Sequence, residues 1–281
     1  MAKQSKKSAL ITVVVVLVIV VIAWVTRVVV SRRAYPPVTA GPHPFSGVAV
    51  FRAGNWIIDA ERSPALDGSS TPRVLQFGVS GDIPVVGDWD GSGRRRIGVF
   101  RKGDWYVDVN GNNRWDGEPV DKIFHFGLPT DVPVTGDWDG TGRVRIGVFR
   151  DGLWYLDLNG NNTWDEADKV FSFGLPGDIP VVGDWDGSGH LRIGVFRQHL
   201  WYVDMNGNNS WDAQDKIFDF GVPGDLPVVG DWDATGKLRI GVFRKGEWLI
   251  DLNGNHTWDG PDKDATFFHG LTDDLPIIVP Y

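Results

Sequence analysis

The chain has 281 residues, no cysteine, and 36 acidic against 28 basic residues, a net charge of −8. The lack of cysteine excludes disulfides, thiol nucleophiles and cysteine zinc sites. Six of the 28 basic residues lie in residues 1–33, which leaves 22 against 36 acids, a net −14, for the remainder; such a domain is a poor partner for nucleic acid or anionic lipid.

Residues 1–8 form a short basic tail. Ala9 to Thr26 is 18 residues without a charge, and Arg27 can snorkel, so a transmembrane helix is expected over residues 9–30. At ~1.5 Å per residue it reaches about the ~30 Å of a bilayer core. Its exit, Trp24-Val25-Thr26-Arg27, is bulky where a cleaved signal peptide ends in small residues, which favours an uncleaved anchor. Three Lys and the amino terminus face three Arg, so charge leaves the orientation open. Residues 31–46, including AYPPVTAGPHPFS, form a Pro-rich, semi-stiff linker.

From residue 47 the chain repeats. GDWDGSGRRRIGVFR begins at Gly87, GDWDGTGRVRIGVFR at Gly136, GDWDGSGHLRIGVFR at Gly183 and GDWDATGKLRIGVFR at Gly230, spacings of 49, 47 and 47 residues. Each unit holds four short runs rich in Val, Ile, Phe, Tyr and Trp, bounded by Gly, Asn, Asp or Pro, with no helical period. Four strands in this length make one propeller blade. The first unit lacks its opening strand, and the last stops at DLPIIVPY, 274–281, which matches DIPVVGDWD of a whole unit. The expected fold is therefore all-β: a five-bladed β-propeller over residues 47–281, with GVAVF (47–51) paired to LPIIV (275–279) to close the ring and remove its exposed edges.

Two loops in the unit carry oxygen ligands. Of the acids, 32 are Asp and 4 are Glu; Asp and Asn suit both turns and calcium loops. In GDWDG the pairs are Asp88 with Asp90, Asp137 with Asp139, Asp184 with Asp186, and Asp231 with Asp233. Counted as a calcium loop, the ninth position holds Arg96, Arg145, Arg192 or Arg239 instead of an acid. A guanidinium makes paired hydrogen bonds to carboxylates, and these arginines are expected to replace the metal. The second loop spaces Asp157, Asn159, Asn161, Asp165 and Asp168 at positions 1, 3, 5, 9 and 12. Asp204, Asn206, Asn208, Asp212 and Asp215 repeat this, as do Asp251, Asn253, Asn255, Asp259 and Asp262. That spacing suits Ca²⁺, although Asn-Gly is also a hairpin signal. The copy from Asp108 has two extra residues before Asp121.

The unit resembles the FG-GAP or VCBS-type repeat, the blade of integrin α-subunit propellers and of many bacterial surface proteins. The resemblance rests on Phe126-Gly127, Phe173-Gly174 and Phe220-Gly221, on the GDWDG loop and on the apolar GVF strand. It implies a calcium site in the loop joining the two inner strands and a propeller on the extracytoplasmic side. Thirteen of the 14 tryptophans lie in the array at recurring places, as Trp138, Trp154 and Trp164 do; packing between blades is expected of them. No histidine spacing suits a metal, and no nucleophile or unique carboxylate pair stands out. The expected function is a membrane-anchored, non-catalytic binding or scaffold module for a protein or glycan. The alternatives are a multivalent lectin with sugar sites between blades and a polysaccharide-degrading enzyme.

Overall fold

The computed structural model describes residues 46–59, 73–233 and 235–280. The predicted tail, membrane helix and nearly all of the linker lie outside these residues. Among the described residues no helix is long and apolar enough to cross a membrane.

Among the described residues, twenty strands form five antiparallel four-stranded sheets. Blade one contains β1 (Ser46–Arg52), β2 (Asn55–Ile58) and β3 (Arg73–Gln76). Blade two is β4 (Ile83–Gly87), β5 (Arg96–Arg101), β6 (Asp104–Val107) and β7 (Lys122–His125). Blade three is β8 (Val132–Gly136), β9 (Arg145–Arg150), β10 (Leu153–Leu156) and β11 (Lys169–Ser172). Blade four is β12 (Ile179–Gly183), β13 (Arg192–Arg197), β14 (Leu200–Val203) and β15 (Lys216–Asp219). Blade five is β16 (Leu226–Gly230), β17 (Arg239–Arg244), β18 (Glu247–Ile250) and β19 (Ala265–Phe268). The last strand, β20 (Leu275–Pro280), completes blade one as its inner strand, in the order β20-β1-β2-β3. Gly47 faces Val279 and Phe51 faces Leu275, the pairing expected from the repeats. Each of the inner strands β4, β8, β12, β16 and β20 touches the inner strand on either side, so the ring is closed.

The sequence of each strand suits its place. Inner strands carry Pro at their second residue (Pro84, Pro133, Pro180, Pro227, Pro276), tolerable because these strands pair on one side only. The second strands, RIGVFR, are buried through their four central residues, as expected of strands covered on both faces. The third strands alternate, so Trp105, Trp154 and Trp201 point into the core while Tyr106, Tyr155 and Tyr202 are only half-buried. The core lies between blades: Phe51, Trp56 and Phe77 of blade one pack with Val86, Ile97 and Val99 of blade two. In four blades the turn from second to third strand uses two residues at positive φ, such as Asp151 (49°) and Gly152 (92°), the type favoured in tight hairpins; in blade four only Gln198 is at positive φ.

Candidate functional site

All GDWDG loops and Asn-Gly loops lie at the same end of the blades, because they follow the first and third strands of antiparallel sheets. In each GDWDG loop the first aspartate caps the turn. Asp137 accepts from Thr141 N at 3.0 Å and Gly142 N at 2.7 Å, and Asp184 does the same for Ser188 and Gly189. The second aspartate takes the arginine: Arg96–Asp90, Arg145–Asp139, Arg192–Asp186 and Arg239–Asp233 are each 2.6 Å apart. The guanidinium therefore meets Asp90 and its equivalents, while Asp88, Asp137, Asp184 and Asp231 are held by backbone N–H groups. Arg96 and Arg192 also donate to the carbonyls of Val109 and Met205 in the neighbouring loop. Burial raises the pKa of Asp184. Burial also pushes Asp186 up, but hydrogen bonds from Ser188 and the charge of Arg192 outweigh it and draw it down to about 2.

The Asn-Gly loops are closed by their own hydrogen bonds. Asp157, fully buried, accepts from Gly160 N (2.7 Å) and Asn162 N (2.9 Å). Asp168 accepts from Leu158 N (3.0 Å) and Asp165 N (2.9 Å). Asn159 and Asn161 donate their side-chain N–H groups to Asp165, and their oxygens accept from Asn161 N and Thr163 N. The set Asp204, Asn206, Asn208, Asp212 and Asp215 repeats this arrangement. A calcium cage needs oxygens turned inward on one point. Here amide N–H groups face the carboxylate, and among the described residues no group of three or more acidic or histidine side chains is placed to hold a metal. As folded, the carboxylates of Asp157 and Asp168 are engaged by backbone N–H groups of their own loop.

One expected position needs correction. Asp262 is exposed and does not close the last loop. Asp264, buried, accepts from Leu252 N (3.1 Å) and Asp259 N (2.7 Å). Asp251, Asn253, Asn255 and Asp259 keep their places, and the two extra residues are accommodated before the closing carboxylate. Asp121 does the same after Asp108. Burial pushes Asp108, Asp157, Asp204 and Asp251 up, whereas hydrogen bonds, led by those from Asn110 and Asn255 respectively, hold Asp116 and Asp259 down.

A third polar set was missed in the sequence. At the opposite end, the arginine closing each second strand forks onto an aspartate just before the inner strand. Arg101 grips Asp82 (2.6 and 2.8 Å), Arg150 grips Asp131, Arg197 grips Asp178, Arg244 grips Asp225, and Arg52 grips Asp274. The five aspartates are buried, and each also accepts a backbone N–H three residues earlier, as from Leu128 to Asp131 at 2.7 Å. The hydrogen bonds to aspartate raise the pKa of all five arginines. The signal was present: Asp and Arg stand 19 residues apart in four copies, and Arg52 with Asp274 makes the fifth across the closure.

The tryptophans sort into three rows. Trp56, Trp105, Trp154, Trp201 and Trp248 are fully buried, with Nε1 bonded to a carbonyl, as Trp154 is to Phe173 at 2.8 Å. Trp89, Trp138, Trp185 and Trp232 lie over Gly87, Gly136, Gly183 and Gly230. Both rows pack as expected. The third row also packs between blades but stays partly open: Trp115, Trp164, Trp211 and Trp258 are 38–49% exposed. Each leans on a Phe of the preceding blade, edge-on for Trp115, Trp211 and Trp258 and tilted for Trp164 on Phe126. Trp115, Trp164 and Trp211 also meet a Tyr of their own blade edge-on, Tyr106, Tyr155 and Tyr202. The two exposed His–Asp pairs, His125–Asp104 and His199–Asp219, have no counterparts in the other blades.

No family model matches the chain, and no curated protein matches it. Among solved structures it is similar to an Agrocybe aegerita lectin described as specifically recognising non-reducing terminal N-acetylglucosamine. The identity is 17%, with 82% of this chain and 64% of the lectin covered and a TM-score of 0.45. The chain thus spans less than two thirds of that lectin's length.

Proposed function

We propose that this chain is a membrane-anchored, extracytoplasmic propeller acting as a non-catalytic binding or scaffold module for a protein or glycan partner. The observation that carries the reading is that the inner strands are spent on packing between blades. Val134 packs with Val182, Val181 with Val229, Val228 with Ile278 and Ile277 with Val86 across blade junctions, and the hydroxyl of Thr135 donates to the Val86 carbonyl of the preceding blade at 3.0 Å. Catalysis in a propeller draws on unmatched polar groups converging on the axis. Here the Asp–Arg forks and capped loops recur from blade to blade and are consumed in holding the fold. The anchor rests on residues 9–30, and the orientation on the family resemblance. Protease added to intact cells should cut an epitope inserted in residues 34–45. Release of reducing ends from a panel of polysaccharides by the purified full chain would overturn the non-catalytic reading.

A second reading, a multivalent lectin, is favoured by the row Trp115, Trp164, Trp211 and Trp258, partly exposed at equivalent blade junctions. A glycan array probed with the full chain and with Trp164→Ala tests it. The loss of a glycan signal in the variant supports the lectin, and an array without signal leaves the protein-binding module.

A further inference from the structure

We propose that Asn110, Asn159, Asn206 and Asn253 are deamidation sites that the fold holds shut. While its loop is closed each amide persists. Once the loop opens, conversion to aspartate or isoaspartate is one-way and releases the tryptophan that the loop carries. This inference does not depend on membrane anchoring or on the partner proposed above.

The chain contains four Asn-Gly dipeptides, one in each of blades two to five: Asn110-Gly111, Asn159-Gly160, Asn206-Gly207 and Asn253-Gly254. The chemistry is intrinsic to the pair. The glycine nitrogen attacks Cγ of the asparagine before it. A nitrogen–carbon bond forms, the Cγ–Nδ2 bond breaks, and the amide leaves as ammonia carrying the glycine proton. Water then opens the resulting five-membered imide to aspartate or to isoaspartate. Glycine has no Cβ to hinder the approach, so an unconstrained loop of this sequence would convert.

The reaction needs the glycine nitrogen free to lose its proton. In all four loops that N–H is donated to a buried aspartate: Gly111 to Asp108, Gly160 to Asp157 and Gly207 to Asp204 at 2.7 Å, and Gly254 to Asp251 at 2.8 Å. Removing the proton would set an anionic nitrogen against a carboxylate away from water, which Coulomb repulsion opposes. The asparagine is held as well. Each side-chain oxygen accepts the N–H two residues on, at 2.9–3.0 Å. Each Nδ2 donates to Asp116, Asp165, Asp212 or Asp259 of the same loop. The asparagines are exposed or half-buried, so hydrogen bonds protect them and burial does not.

Conversion destroys the closed form. A carboxylate at position 159 puts an anion where an N–H faced Asp165 at 3.0 Å. Isoaspartate adds a methylene to the main chain, while the N–H groups of Asn161, Asn162 and Thr163 are all committed within the loop. Trp164 follows five residues after Asn159, as Trp115, Trp211 and Trp258 follow the other three asparagines. Loss of the loop therefore frees the exposed tryptophan row.

The test ages the full chain in non-ionic detergent at mildly alkaline pH, folded or in urea, and reads each site by peptide mass spectrometry. All four asparagines should convert in urea, and at least tenfold more slowly in the folded chain. Asp157→Ala frees the Gly160 N–H and should speed conversion at Asn159 at least tenfold, while Asn110, Asn206 and Asn253 keep the parent rate. Asp165→Ala frees the Asn159 amide but leaves Gly160 held, and should speed it far less. If Asp157→Ala melts the domain, so that all four sites convert together, Asp157→Asn takes its place; it keeps an acceptor oxygen and should speed Asn159 alone. The proposal fails if folded and unfolded chains convert alike, if neither variant at Asp157 changes Asn159, or if Asp165→Ala speeds it as much as the Asp157 variant does. Chain aged in urea and then refolded should differ in tryptophan emission from unaged chain, and identical emission would refute release of the row.

Discussion

Truncating the fork at the ring closure should destabilise the propeller unequally from its two sides. Asp274 is 2% exposed. It accepts from Arg52 at 2.5 and 2.6 Å and from Leu271 N at 2.7 Å. The Arg52 side chain is 44% exposed, so in Asp274→Ala its head returns to water and the full ~3–5 kcal/mol of a broken buried pair is not reached. The lost charge-assisted interaction, ~1.5–3 kcal/mol, and a stranded Leu271 N–H, ~1 kcal/mol, give about 2.5–4 kcal/mol. For a domain of this size that is a fall in Tm of roughly 5–16 °C. Arg52→Ala should cost more, because it leaves a buried carboxylate with a single backbone donor, and the double variant should resemble Asp274→Ala. Urea unfolding of the full chain, followed by tryptophan fluorescence, reads all three. If Arg52→Ala costs less than about 1 kcal/mol, or less than Asp274→Ala, the buried-carboxylate argument is wrong.

Trp154→Ala should cost about 3–5 kcal/mol, whereas Trp164→Ala, half-exposed, should lose no more than about 1.5 kcal/mol; chemical denaturation separates them. Gly152→Ala puts a methyl 2.7 Å from the Gly174 carbonyl oxygen at φ +92°, so the melt should fall, and an unchanged melt would show a different turn. Asp186 is held at about 2 in the folded state against ~3.9 in an unfolded chain. Its stabilising contribution is therefore present above pH ~4 and lost as pH falls toward ~2. The stability gap between parent and Arg192→Gln should close over that window, and a gap constant from pH 7 to 2 would refute the pairing. Because the Asn-Gly loops close on themselves, millimolar Ca²⁺ should leave the Tm measured in EGTA unchanged. A rise that Asp157→Ala removes would assign a cation to them.

The blade count and the closing register were legible because strand repeats differ little from copy to copy and the two incomplete ends are complementary. Arg96 and its equivalents were legible as partners of the GDWDG aspartates, but not the choice of the second aspartate, which depends on backbone N–H groups claiming the first. Asp82 and Arg101 looked like ordinary strand-end residues, since strand-boundary charges are common and only the folded hairpin brings positions 19 apart together. Asp264 was hidden by a two-residue shift in loop length.

β1, the strand that follows the linker, is not an edge strand. It is held by ladders on both sides, to β20 and to β2. Ladder bonds in antiparallel sheets run perpendicular to the strands. A pull on Ser46 along the strand direction therefore loads both ladders in shear, many bonds at once, and cannot peel them one by one. The chain enters the ring at a strand that resists extraction mechanically, and β20 and β2 share that load.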